Sequence, residues 1–183
     1  METTDAIAEA ILRTCMKEGP LALANPTDYT CRANIMWAGT LAHNDLTGCG
    51  TTGDWATHNI EHELSGLFDV SHGAGLAAVW GSWARYTRNE NLPRFARFAH
   101  NVMGIDTTNM SDMEASETGI KAMEQFFRSI GMPTDIHTLV GKDVTDAEIE
   151  EMAQKCTNGD TTTIGGLKIL HAADIVKIYQ MAK

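Results

Sequence analysis

Cysteine and proline are both scarce in this sequence, four of each in 183 residues. Cys15, Cys31, Cys49 and Cys156 stand too far apart for a CxxC redox or zinc motif. A disulfide-stapled scaffold is excluded, and the four thiols are expected to serve as small core residues. Basic side chains are outnumbered 14 to 24 by acidic ones, for a net charge of −10, and nowhere cluster. Such a surface repels phosphate backbones and anionic lipid, which removes nucleic acid and membrane surfaces as expected partners. A long apolar run is also missing. The longest uncharged stretch, Val70 to Ala84, is interrupted by Ser71, His72 and several glycines and falls short of the ~20 residues that span a bilayer. The first residues, Glu2, Thr3, Thr4 and Asp5, carry acid where a secretory signal needs positive charge, so a cytoplasmic location is expected.

What is present is a core-forming composition, 43% hydrophobic, in a length that buries ~70% of the unfolded surface. Apolar residues recur at helical spacing: Ile7, Ala8, Ile11, Leu12 and Cys15 form one stripe that Gly19-Pro20 is expected to stop. With Thr27 as N-cap, a second helix runs to about Ala42 and is apolar around most of its circumference, which predicts burial. After the glycine loop Gly48 to Gly53, helices are expected from Asp54 to about Leu67 and from His72 to about Tyr86. Another has Pro93 in its first turn, and a longer one covers Ser111 to Ile130. Thr145 and Glu148 have capping-box spacing, and a last helix spans Ala172 to Met181. Only Thr161 to Ile164 has strand character, with no expected partner. The fold class is therefore all-α, a single helical domain of about eight helices over residues 1–183.

Three patterns suggest chemistry that their context weakens. Gly48 to Gly53 spells GxGxxG, but a dinucleotide fingerprint follows a buried strand and here follows a helix. His58-Asn59-Ile60-Glu61-His62 matches HxxEH, in which two His bind zinc and the Glu activates water, so a zinc peptidase using His58, Glu61 and His62 is one alternative. Asp54, His58 and His62 fall at i, i+4 and i+8; about 12 Å along a straight helix separates the outer two, too far for one ion. A fourth pattern joins His58 to His72 across the helix break Phe68-Asp69-Val70-Ser71, which places His72 at the start of the next helix, facing the end of the previous one. Glycines 73 and 75 allow a close approach to it. Spacing alone leaves this pair unresolved between a site and two ordinary histidines. A second alternative is a non-catalytic helical interaction module, which ten Met and four Trp allow.

The segment from Gly53 through Ser65 (GDWATHNIEHELS), followed by Asp69 through Ala77 (DVSHGAGLA), resembles the metal-binding core of the iron-containing (group III) alcohol dehydrogenases, nearest their butanol dehydrogenase branch. Arg32 to Ala38 (RANIMWA) and Ile130 to Thr134 (IGMPT) extend the likeness over essentially the whole chain. The resemblance implies the C-terminal helical domain of such an enzyme, with His58 and His72 as two of four protein ligands to a divalent metal, Fe2+ first and Zn2+ second. His62 matches the motif's middle histidine, which lies near the reacting alcohol and suits a proton relay. The implied chemistry is metal-assisted hydride exchange between a small alcohol or aldehyde and NAD or NADP. The implied partner is an N-terminal nucleotide-binding domain, and a homo-oligomer is admitted. The family's upstream Asp-x-x-x-His ligand pair and Gly-Gly-Gly-Ser phosphate loop are not in these 183 residues. Two imidazoles are a poor ligand set, so the isolated chain is expected to bind metal weakly and not to turn over alone.

Overall fold

The computed structural model describes residues 1–183 and consists of nine α-helices with one short 3-10 turn. They form two compact units, Met1–Gly53 with Pro93–Ala122, and Asp54–Leu92 with Met123–Lys183.

In the first unit α1 (Glu2–Ala24) packs chiefly on α2 (Tyr29–His43). Pro20 does not end α1 as its sequence suggests. The helix passes through it, and the Asn25 N–H still bonds the Leu21 carbonyl at 2.9 Å. A proline deletes one donor and crowds the preceding turn, and packing along α2 overrides that local preference. The N-cap of α2 is Asp28, not Thr27: its carboxylate accepts from the Cys31 N–H at 3.0 Å. Nor is α2 largely buried. Only Cys31 and Ala38 are, while Trp37 is 62% and Met36 72% exposed, because one neighbouring helix covers a single face. The thiols also depart from expectation, with Cys31 buried, Cys15 and Cys156 half-buried and Cys49 exposed, all unpaired. α5 (Leu92–Asn101) is tied to α1 by Arg97, which bonds Glu2 at 2.6 and 2.7 Å and Glu9 at 2.5 Å. α6 (Asp112–Ser129) begins in this unit and ends in the other.

The second unit has the larger core. α3 (Ala56–Phe68), α4 (His72–Thr87), α8 (Asp146–Cys156) and α9 (Ala172–Ala182) pack around Ile60, Leu64, Val79, Ile149, Met152, Ile175, Ile178 and Tyr179, all essentially without solvent contact. A short helix that the periodicity did not reveal, α7 (Ile136–Val140), contributes Ile136 to it. Thr161 to Ile164 does find a partner: Ile164 and Leu170 exchange both backbone hydrogen bonds, at 3.2 and 2.9 Å, in one antiparallel bridge.

Buried Tyr179 on α9 donates its hydroxyl to the Ile60 carbonyl at 2.6 Å and so fixes the middle of α3. Tyr179→Phe is expected to cost about 1–2 kcal/mol in denaturant unfolding. The Thr145–Glu148 capping box on α8 is complete. Hydrogen bonds from the Thr145 N–H and hydroxyl, with Lys142 alongside, lower the Glu148 pKa from 4.5 to about 2. The charged carboxylate is the form held in place, so this contribution is complete above 4.5 and lost as pH falls toward about 2. Glu148→Gln should therefore be less stable than the parent at neutral pH, and the gap should close between about pH 5 and about pH 2.

Candidate metal centre

α3 ends on Asp69, a non-glycine residue at φ 52°, whose N–H closes the helix on the Ser65 carbonyl at 3.0 Å. Val70 and Ser71 then turn the chain, and α4 opens on His72. This reversal brings three imidazoles from two helices together. Ring centroids lie 5.2 Å apart for His58 and His72, 5.4 Å for His62 and His72, and 6.4 Å for His58 and His62. Trp55 flanks His58 at 5.0 Å. Burial first, then the neighbouring His72 and His62 rings, lower the His58 pKa from 6.5. A neutral imidazole is the form that offers a lone pair to a metal.

Glu61, at 0% exposure, lies beneath these rings. One carboxylate oxygen is bonded to His72 Nδ1, and the other accepts from the Ser65 hydroxyl, which is also 3.2 Å from the Val70 carbonyl oxygen. The glycine at 75 exists for this group: a Cβ there would sit 2.6 Å from Glu61 Cγ and overlap its carboxylate. Ligand atoms of Glu61, His62 and His72 all lie within 4.8 Å of one another. Of these, the Glu61 oxygens are already engaged, while His62 and His72 each keep a ring nitrogen; His58 is not in this set.

The same burial bears on the HxxEH pattern. A peptidase glutamate must present a free carboxylate to a water beside the two histidines, whereas Glu61 faces the interior, bonded to His72 and Ser65. Asp54 is likewise spoken for. It accepts from the backbone N–H groups of Ala56 at 2.8 Å, Gly166 at 3.0 Å and Leu167 at 2.8 Å, pinning the Ile164–Leu170 loop to the start of α3. Gly48 to Gly53 forms turns between α2 and α3, without the strand a nucleotide fingerprint needs.

Beside His58 runs a cleft of about 440 Å³ walled by Leu76, Trp80, Trp83 and Phe127. Trp80 and Phe127 meet edge to face, 6.1 Å between centroids. Sequence reasoning missed this cleft, and it missed the place of Glu61, Ser65 and Gly75. A signal for Glu61 was available: it occupies the buried stripe Ala56, Ile60, Leu64 on α3, where an unpartnered charge is not tolerated.

An all-helical fold that brings histidines together from two successive helices defines a candidate metal-binding domain. The family model "Fe-containing alcohol dehydrogenase family, C-terminal" matches residues 1–183, and the chain belongs to that family. NADH-dependent butanol dehydrogenase A of Clostridium acetobutylicum is 39% identical over 178 residues, 96% of this chain and 44% of the relative. The NADPH-dependent aldehyde reductase YqhD of Escherichia coli is 36% identical over 175 residues, 92% of this chain and 45% of the relative. The crystal structure of NADH-dependent butanol dehydrogenase A from Thermotoga maritima superposes with a TM-score of 0.90 at 31% identity, over 99% of this chain and 46% of that one. The chain thus spans slightly under half the length of the relatives it matches.

Gly75→Ala is expected to cost about 1–3 kcal/mol through overpacking against Glu61. Gly73→Ala, with nothing within 4 Å of the added Cβ, should be neutral or stabilising by up to about 1 kcal/mol. Thermal unfolding of the two variants checks the contrast.

Proposed function

We propose that this chain is the helical half of a metal- and NAD(P)-dependent alcohol dehydrogenase that interconverts small alcohols and aldehydes. The observation that carries the reading is the convergence of His58, His62 and His72 above a buried carboxylate, in a chain of the iron-containing alcohol dehydrogenase family. The donors fit a borderline divalent cation: imidazole suits Fe2+ and Zn2+, and Fe2+ is the first choice. His58 and His72 would hold the ion, two helix-borne ligands on either side of the Asp69 turn. The bound ion supplies Lewis-acid polarisation of the alcohol or carbonyl oxygen.

The remaining work falls to this chain's own groups. His62 is exposed and, outside the ligand pair, is placed to take and return the hydroxyl proton at a ring nitrogen. Leu76, Trp80, Trp83 and Phe127 offer an apolar cleft beside His58 for the hydrocarbon part of the substrate and keep water from it. The names of the relatives, butanol dehydrogenase, aldehyde reductase and 1,3-propanediol dehydrogenase, support a short-chain alcohol or aldehyde. The nicotinamide cofactor and the remaining metal ligands belong, in this reading, to an N-terminal nucleotide-binding domain. NAD and NADP are both admitted, since relatives are named for each.

In the complete polypeptide, His58→Ala and His72→Ala should each abolish metal retention by elemental analysis. His62→Ala should keep the metal and slow turnover by ~10²-fold or more. Equal metal loss from all three variants would overturn the ligand assignment.

A further inference from the structure

We infer that Glu61 is the positioning residue of the metal centre: its buried carboxylate holds the Nδ1–H of His72, so that Nε2 of that ring is the atom presented to the ion. The inference rests on the metal-site reading above and goes beyond it by assigning the histidine's tautomer and the partner that fixes it.

Three independent features place Glu61 in this role. Its side chain has no solvent contact, so its charge must be satisfied within the protein or be strongly destabilising. Its two oxygens divide between Ser65 and His72, and the His72 atom involved is Nδ1. α4 approaches it at Gly75, the one position in that turn where a side chain would collide with the carboxylate. An imidazole whose Nδ1 is held by a carboxylate can offer only Nε2 as a lone pair. Such a partner also makes the ring a better donor, and its removal typically lowers metal affinity 10–100-fold. His58 and His62 have no carboxylate of this kind among their hydrogen bonds, which leaves His72 as the ligand most strongly pre-oriented by this chain. The arrangement sets a buried carboxylate directly behind one of the two imidazoles.

The competing arrangement has Glu61 swing onto the ion as a ligand together with His62 and His72, whose donor atoms lie within 4.8 Å. It would break the bonds to both Ser65 and His72 Nδ1. Only in that second arrangement is Nδ1 of His72 free to meet the ion.

The test uses Zn2+ as probe and the complete polypeptide. Glu61→Gln keeps the shape and removes the charge; its Zn2+ dissociation constant, by competition with a chelating dye, should rise 10–100-fold while the metal-free melting temperature stays within a few degrees of the parent. Ser65→Ala, which leaves the carboxylate on His72, should raise it less than Glu61→Gln does. An affinity for Glu61→Gln within about twofold of the parent overturns the inference while leaving the His58 and His72 ligand assignment intact. Failure of the parent itself to bind Zn2+ overturns both. Should Glu61→Gln not fold, 15N spectra of the histidine-labelled, Zn2+-loaded parent decide, with His72→Gln supplying the resonance assignment. A His72 ring protonated on Nδ1 and bound through Nε2 supports the inference, and a ring bound through Nδ1 overturns it.

Discussion

A carboxylate with no access to water constrains everything around it, and in this chain that group is Glu61. Its charge can be accommodated only if both oxygens are hydrogen-bonded. Ser65, one turn later on α3, satisfies one of them, which the helix supplies without any tertiary arrangement. The other requires His72 from α4. For that contact the chain must reverse within three residues, and Asp69 in the left-handed region, with Val70 and Ser71, provides the reversal. α4 must then come close enough that only glycine fits at 75. The turn, the glycine and the orientation of His72 thus follow from one buried charge.

Much of this half of the molecule is legible in the sequence because its determinants are local. The helix break at Phe68 to Ser71 is legible and puts His72 at the start of α4; the spacing left open whether His58 and His72 form a site, and the structure places their rings 5.2 Å apart. The Thr145–Glu148 box and the ends of α6 are local in the same sense. What the sequence conceals depends on partners far along the chain. Pro20 reads as a terminus until α2 is seen packed alongside. Trp37 and Met36 read as core until α2 is seen with only one face covered. Glu61 reads as a peptidase base because HxxEH shows only i to i+4 relations, whereas its decisive bond reaches eleven residues ahead to His72.

The scaffold beneath the site is built from such distant contacts. Asp54 binds backbone donors 112 and 113 residues later, and Tyr179 reaches back 119 residues to Ile60. On α4, Tyr86 donates to Asp174 at 2.5 Å, and Arg85 forks onto Glu124 at 2.5 and 2.8 Å. α3 is therefore held at its first residue and in its middle, and α4 near its C-terminal end. Beside His72, the end of α3 and the start of α4 are joined by the Glu61 carboxylate in addition to the core packing of Ile60, Leu64 and Val79. The ligand pair proposed above would have to meet one ion within a few tenths of an ångström and would need this kind of support, since a ring free to rotate would lose orientation entropy on every binding event.

The distribution of charge completes the argument. His58 is held toward its neutral form by burial and by the other two rings, so like charge is discouraged where a cation would sit. The Glu61 carboxylate is placed behind a histidine and out of reach of solvent. A carboxylate acting through an imidazole strengthens that ligand while leaving more of the ion's charge uncompensated. In the proposed reading this suits polarisation of a neutral alcohol or carbonyl group, and it makes α3 and α4 a unit in which the burial of one glutamate and the orientation of one histidine cannot be separated.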